Sequence, residues 1–93
     1  MTTSLLDRPL ELDPQVALRP EPFGALAYHY GNRRLVFLKH PDMVAVARHL
    51  GEHESLAATL AACDVDERRW PSFESAFASL LSSEVIRERT DAR

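Results

Sequence analysis

The run Arg34-Leu35-Val36-Phe37-Leu38-Lys39 is apolar at four successive positions and bounded by cations. Successive side chains of a strand point to opposite faces. Such a run is therefore either covered on both sides or keeps one side for a partner. Its context makes it the second arm of a hairpin. Residues 23–30 form a first arm rich in aromatic and aliphatic side chains, and Gly31-Asn32-Arg33 joins the two. Gly and Asn tolerate the positive φ of tight turns, so Gly31 and Asn32 are expected to adopt it here. In the first arm Leu26, Tyr28 and Tyr30 share one face, and Ala25, Ala27 and His29 share the other. A shorter strand over 15–19 is expected upstream, with Val16 and Leu18 pointing the same way. Pro9, Pro14, Pro20 and Pro22 punctuate that region, which makes this strand short or an edge.

Three helices are expected next. His40-Pro41-Asp42 is a helix start, with Pro41 suited to the first turn. Met43, Val46, Ala47 and Leu50 follow at i, i+3, i+4 and i+7, one apolar stripe, and Gly51 is a natural stop. Ser55 is placed to cap a short helix over 56–63, whose apolar contacts are Leu56 and Leu60. Residues 64–69 are charged and read as a solvated linker. A third helix over 72–83 sets Phe73, Phe77, Leu80 and Leu81 on one face, and Val85 and Ile86 continue that packing. Strands before helices predict an α+β domain, a three-stranded antiparallel sheet followed by three helices. Residues 1–11 are expected to be a flexible arm, 12–87 the folded unit and 88–93 a flexible tail.

A chain of 93 residues holds one domain. Its 45% apolar and 27% charged residues are a globular balance that argues against disorder. The net charge of −3 supplies no electrostatic attraction to nucleic acid or to an anionic membrane. A lone Cys63 suits a reducing compartment, since small secreted domains carry paired cysteines. The first ten residues lack the features of a signal peptide, and no apolar stretch approaches the roughly 20 residues needed to cross a bilayer. A soluble, cytoplasmic protein is expected.

The search for chemistry returns little. His49 and His53 have i, i+4 spacing, but Gly51 lies between them and no third ligand joins, so no metal site is expected. Cys63 sits among alanines, where a small packed apolar role outweighs a nucleophile. Asp64 with Asp66, and Glu52 with Glu54, lie in charged linkers and read as solvated surface. No Gly-rich phosphate loop, G-x-S-x-G or CxxC occurs, and no catalytic residue is assigned. A strand pair with three helices also makes a winged helix, yet the second and third helices carry no basic residue to read base edges. What remains is the two-faced strand over 34–39. Either its own helices bury it, or an extended peptide adds beside it as a further strand. In the second case Leu35 and Phe37, or Val36 and Leu38, line the side-chain pockets, depending on register.

The segment Leu12-Asp13-Pro14-Gln15-Val16-Ala17-Leu18-Arg19-Pro20-Glu21-Pro22-Phe23-Gly24-Ala25-Leu26, running into Tyr28-His29-Tyr30-Gly31, resembles the start of the mycofactocin biosynthesis chaperones. These belong with the PqqD-like peptide-binding domains called RiPP recognition elements. Leu38-Lys39, the helix from Met43 to Leu50, Leu50-Gly51 and Ser55-Leu56 fit the same pattern. The likeness spans roughly 12–87 and is most specific in its first segment. The linker over 64–71, with Trp70-Pro71, is longer than the group's pattern.

The resemblance implies a winged-helix-like domain with no catalysis and no cofactor of its own. Its partners would be the leader of a ribosomally made precursor peptide and a radical SAM maturase, which carries the iron–sulfur clusters. In such domains the leader adds beside the third strand, in a groove shared with the third helix. Here that means Arg34, Leu35, Val36, Phe37, Leu38 and Lys39 with Phe73, Ala76, Phe77 and Leu80. Arg33, Arg34 and Lys39 would steer an acidic leader. The alternative readings are a general protein–protein interaction domain and, behind it, a winged-helix DNA-binding domain.

Overall fold

The computed structural model describes residues 4–89. In chain order they form strands β1 (Leu10–Leu12), β2 (Val16–Glu21), β3 (Gly24–His29) and β4 (Leu35–Leu38), then helices α1 (Pro41–His49), α2 (Leu56–Ala62) and α3 (Trp70–Ser82), and finally strand β5 (Ile86–Glu88). Strands β2, β3 and β4 are an antiparallel meander in that order, as their hairpin chemistry predicts. The α+β class follows directly. All three expected helices form, α3 with an earlier start, and Ser55 caps α2 by accepting from the Ala58 N–H at 3.0 Å.

The sheet buries its small side chains. Ala25, Ala27 and His29 face inward on β3, opposite Leu38 and Val36 of β4 and Leu18 and Val16 of β2. Alanines at 0% and 1% exposure leave room for α1 to lie close, presenting Val46, Ala47 and Leu50 to the sheet side of the core. Phe77, Leu56 and Leu60 complete that core, each burial worth about 1.5–3 kcal/mol. The larger Leu26 and Tyr28 are left on the outer face.

The β3–β4 turn differs from its sequence expectation. Positive φ falls on Arg33, at 63°, while Gly31 and Asn32 keep negative values. His29 explains the shift. Its Nδ1 accepts from the N–H groups of Gly31 at 3.0 Å and Asn32 at 3.1 Å, curling the chain inward before Arg33. Asn32 Oδ1 then accepts from the Arg34 N–H at 2.9 Å. Gly31 is needed for close approach instead: a Cβ there would run into Gln15 and the His29 ring.

Helix α3 starts at Trp70, two residues before the expected position. A 3-10 turn over Glu67–Arg69 leads straight into it, capped by Asp66, whose carboxylate accepts from the Arg68 N–H. Pro71 fits the first helical turn because its missing donor has no partner there in any case. The charged stretch is therefore not a solvated linker throughout. Val65 is only 7% exposed, and Trp70 Nε1 donates to its carbonyl at 2.9 Å.

A second, two-stranded sheet was not foreseen. Strands β1 and β5 pair Leu10 with Glu88, Glu11 with Arg87 and Leu12 with Ile86. Leu10 and Ile86 are buried at 0% and 1% exposure, and Arg8–Glu88 and Arg87–Glu11 ion pairs flank the ladder. Ser4 caps a 3-10 turn over Leu5–Asp7, with Leu5 and Leu6 packed against the core. Described residues of the segments 1–11 and 88–93 are thus packed; the remainder of both lies outside the described residues.

Candidate functional site

Strand β4 is the last strand of its sheet, so among the described residues one of its edges has no neighbouring strand. Antiparallel ladders alternate between pairs that exchange hydrogen bonds and pairs that do not. His29 N–H donates to the Arg34 carbonyl at 3.0 Å, which fixes the parity along β4. Val36, opposite Ala27, and Leu38, opposite Ala25, direct their backbone groups to β3. The N–H and C=O of Leu35 and Phe37 point to the open edge. Gly24 secures this alignment with a φ of 150°, and a Cβ at that position would overlap the Leu38 carbonyl.

The side chains divide the other way. Leu38 is fully buried and Val36 half-buried, both toward the helices. Leu35 and Phe37, at 56% and 54% exposure, lie on the outer face and do not face α3. Arg33, Arg34 and Lys39 are exposed around the strand.

An open cavity of about 260 Å³ begins two residues beyond β4. His40 and Met43 form one wall and Arg69, Ser72, Phe73 and Ala76 the other. It therefore lies between the first turns of α1 and α3. Of the expected helix residues, Phe73 and Ala76 line it. Phe77 and Leu80 do not: they are 0% and 3% exposed and belong to the core. Phe73 links the two regions, at 5% exposure and with its ring stacked 6.4 Å from that of Phe77. Arg69 sits 5.2 Å above the Phe73 ring and pairs with Asp42 at 3.0 Å, so the ion pair spans from one wall to the other.

His40, Met43, Arg69 and Ser72 were not singled out as site residues. Met43 completes an apolar stripe, and nothing in that periodicity separates a half-exposed member from a core one. Arg69 was hidden by placing the start of α3 at 72.

The remaining candidates lie apart. His49 pairs with Glu52 at 3.0 Å, and the extended backbone at His53 removes the helical geometry that a shared metal would need. Burial, then the carboxylates of Asp64 and Glu52, push the Cys63 thiol up, which lowers its thiolate content at neutral pH. Among the described residues no helix is long and apolar enough to cross a membrane.

Residues 9–87 match the sequence profile of the peptide chaperone MftB family. The chain belongs to that family. Peptide chaperone MftB of Mycobacterium ulcerans (strain Agy99) is 41% identical over 80 residues, 86% of this chain and 73% of the relative. The Mycobacterium tuberculosis (strain ATCC 25618 / H37Rv) protein of the same name is 39% identical over the same shares. That of Mycolicibacterium smegmatis (strain ATCC 700084 / mc(2)155) is 40% identical over 75 residues, 81% of this chain and 74% of its own. No solved structure matches. The MftB match reaches back to residue 9, upstream of the Leu12 start read from the sequence, and so takes in strand β1.

Proposed function

We propose that this chain is a peptide-recognition chaperone that binds the leader of the mycofactocin precursor as a fourth strand beside β4 and delivers it to a radical SAM maturase. The observation that carries the proposal is the free backbone of Leu35 and Phe37, on a strand whose chain runs within two residues into the wall of an open, largely apolar groove. An added strand satisfies those edge groups, and a groove beside it gives the side-chain selectivity that backbone bonds cannot. The groove is smaller than the roughly 300–1,000 Å³ of small-molecule pockets, which suits one or two side chains of a longer peptide.

Each element has a role in this reading. Phe37 and Leu35 supply backbone partners, Met43, Phe73 and Ala76 supply apolar contact, and Arg69 and His40 supply polar atoms at the rim. Arg33, Arg34 and Lys39 raise the association rate of an acidic leader more than its final affinity. The peptide-chaperone names of the relatives support binding without catalysis. Bond making and breaking then belong to the maturase.

Calorimetric titration of the chain with a synthetic leader peptide tests the reading. Saturable one-to-one binding, lost when the leader is scrambled, is expected. A folded chain that gives no heat with the native leader, with the maturase present or absent, overturns it.

A further inference from the structure

Edge addition leaves the outer face of the sheet unused. Leu26, Tyr28, Leu35 and Phe37 lie on that face at the centre. Phe23 and Tyr30 border it at 46% and 64% exposure. The aromatic rings are already arranged on one another: Phe23 lies 5.7 Å from Phe37, and Tyr28 meets Tyr30 edge-on at 4.9 Å. A contiguous exposed apolar patch of this kind marks an interaction surface, and aromatic anchors at its centre carry most of the energy of such surfaces.

The charge around it narrows the occupant. Arg19, opposite Leu26, and Lys39, two residues beyond Phe37, have the parity of this face, Arg33 is exposed in the adjoining turn, and Glu21 is the one carboxylate of β2, β3 and β4. Glu21 is engaged by Arg19 at 3.4 Å. A second copy of the chain, docked face to face, would set these cations against their own counterparts, which is unfavourable. A partner with an apolar centre and a carboxylate rim complements both the shape and the sign.

We propose that this outer face docks the maturase, through an apolar, carboxylate-rimmed surface on that enzyme, while the peptide occupies the edge. The proposal rests on the chaperone reading and extends it. A strand added beside β4 alternates its side chains, so those that miss the groove emerge next to Leu35 and Phe37 and enlarge the same outer face. The enzyme then touches chaperone and peptide together. Peptide and enzyme tighten each other's binding by equal factors, as linkage requires.

The test uses Arg19→Glu combined with Tyr28→Thr, substitutions on the two strands away from the open edge. Threonine retains strand propensity at position 28. Leader and maturase titrations are run separately and together, with sedimentation of the chain alone. Leader affinity is expected to stay within about twofold of the parent, and maturase affinity to fall at least about tenfold. The parent chain should bind the maturase several-fold tighter when loaded with leader. Unchanged maturase binding by the variant overturns the proposal, and so does parent self-association that the variant abolishes. Absence of leader binding by the parent would defeat the chaperone reading instead, while the titration with maturase alone still decides the face.

Discussion

The Arg69 guanidinium bridges the groove from α3 to the Asp42 carboxylate on α1, 3.0 Å away, while resting on the Phe73 ring. Both partners are about half exposed, so the pair is worth no more than about 1 kcal/mol. An acidic side chain of an incoming peptide competes with Asp42 for the same guanidinium. Asp42→Asn should therefore tighten binding of an acidic leader by up to about fivefold at low salt, with the gain shrinking as ionic strength rises. Titrations at two salt concentrations check this. A gain independent of salt would mean that Arg69 takes no part.

Backbone parity along β4 separates two proline substitutions that composition alone would treat alike. Phe37→Pro removes a donor from the open edge and should abolish leader binding with the fold retained. Val36→Pro removes a donor to β3 and should unfold or severely destabilise the chain. Circular dichroism with leader titration distinguishes them. Leader affinity surviving in a folded Phe37→Pro protein would rule out pairing at this edge.

Two positive φ values set opposite expectations. Gly24→Ala places a Cβ against the Leu38 carbonyl at a φ of 150° and should cost about 1–3 kcal/mol or more. Arg33→Gly relieves a φ of 63° and should be neutral or stabilising by up to about 1 kcal/mol. Urea midpoints measure both.

The pH dependence has a definite sign. The backbone N–H and side chain of Arg68 hold Asp66 below the usual carboxylate value, and the Arg8 hydrogen bond does the same for Glu88. A carboxylate depressed by folding stabilises the native state above its unfolded pKa, and that contribution is lost as pH falls through the folded value. Weakening should thus begin below about pH 4 and reach the approach to α3 and the β1–β5 ribbon first. Hydrogen exchange between pH 5 and pH 3 follows the two regions. Protection at Arg68 and Glu88 unaffected across that range would contradict it.

Much of this architecture was legible because the relevant signals are local. Alternation over β3, the cap at Ser55 and the apolar stripe of α1 are each written within a few neighbouring residues. The β1–β5 ribbon was not, since a three-residue strand shows no usable period and its partner lies at the other end of the described chain. Turn geometry misled at Gly31 and Asn32 because the neighbouring His29 ring, fixed by its burial in the fold, accepts from both N–H groups and overrides their preference. The groove was half readable: Phe73 and Ala76 follow from helical spacing and the family likeness. Arg69 and Met43 become wall residues only once the starts of α1 and α3 are brought face to face. Phe77 and Leu80 share the periodicity of Phe73, and periodicity cannot tell a helix face turned toward the core from a neighbouring residue at its rim.

The pairing of Leu10 with Glu88 has a consequence for any tethered cargo. Paired strand residues lie about 4.5–5.5 Å apart, but from this pair the chain runs on in two directions: upstream to Ser4, whose hydroxyl donates to Glu74 on α3, and downstream to Arg89, whose guanidinium donates to the Gly51 carbonyl just after α1. A peptide tethered upstream therefore sets out from the α3 side and one tethered downstream from the end of α1, so linkers of equal length bring it to the β4 edge at different effective concentrations.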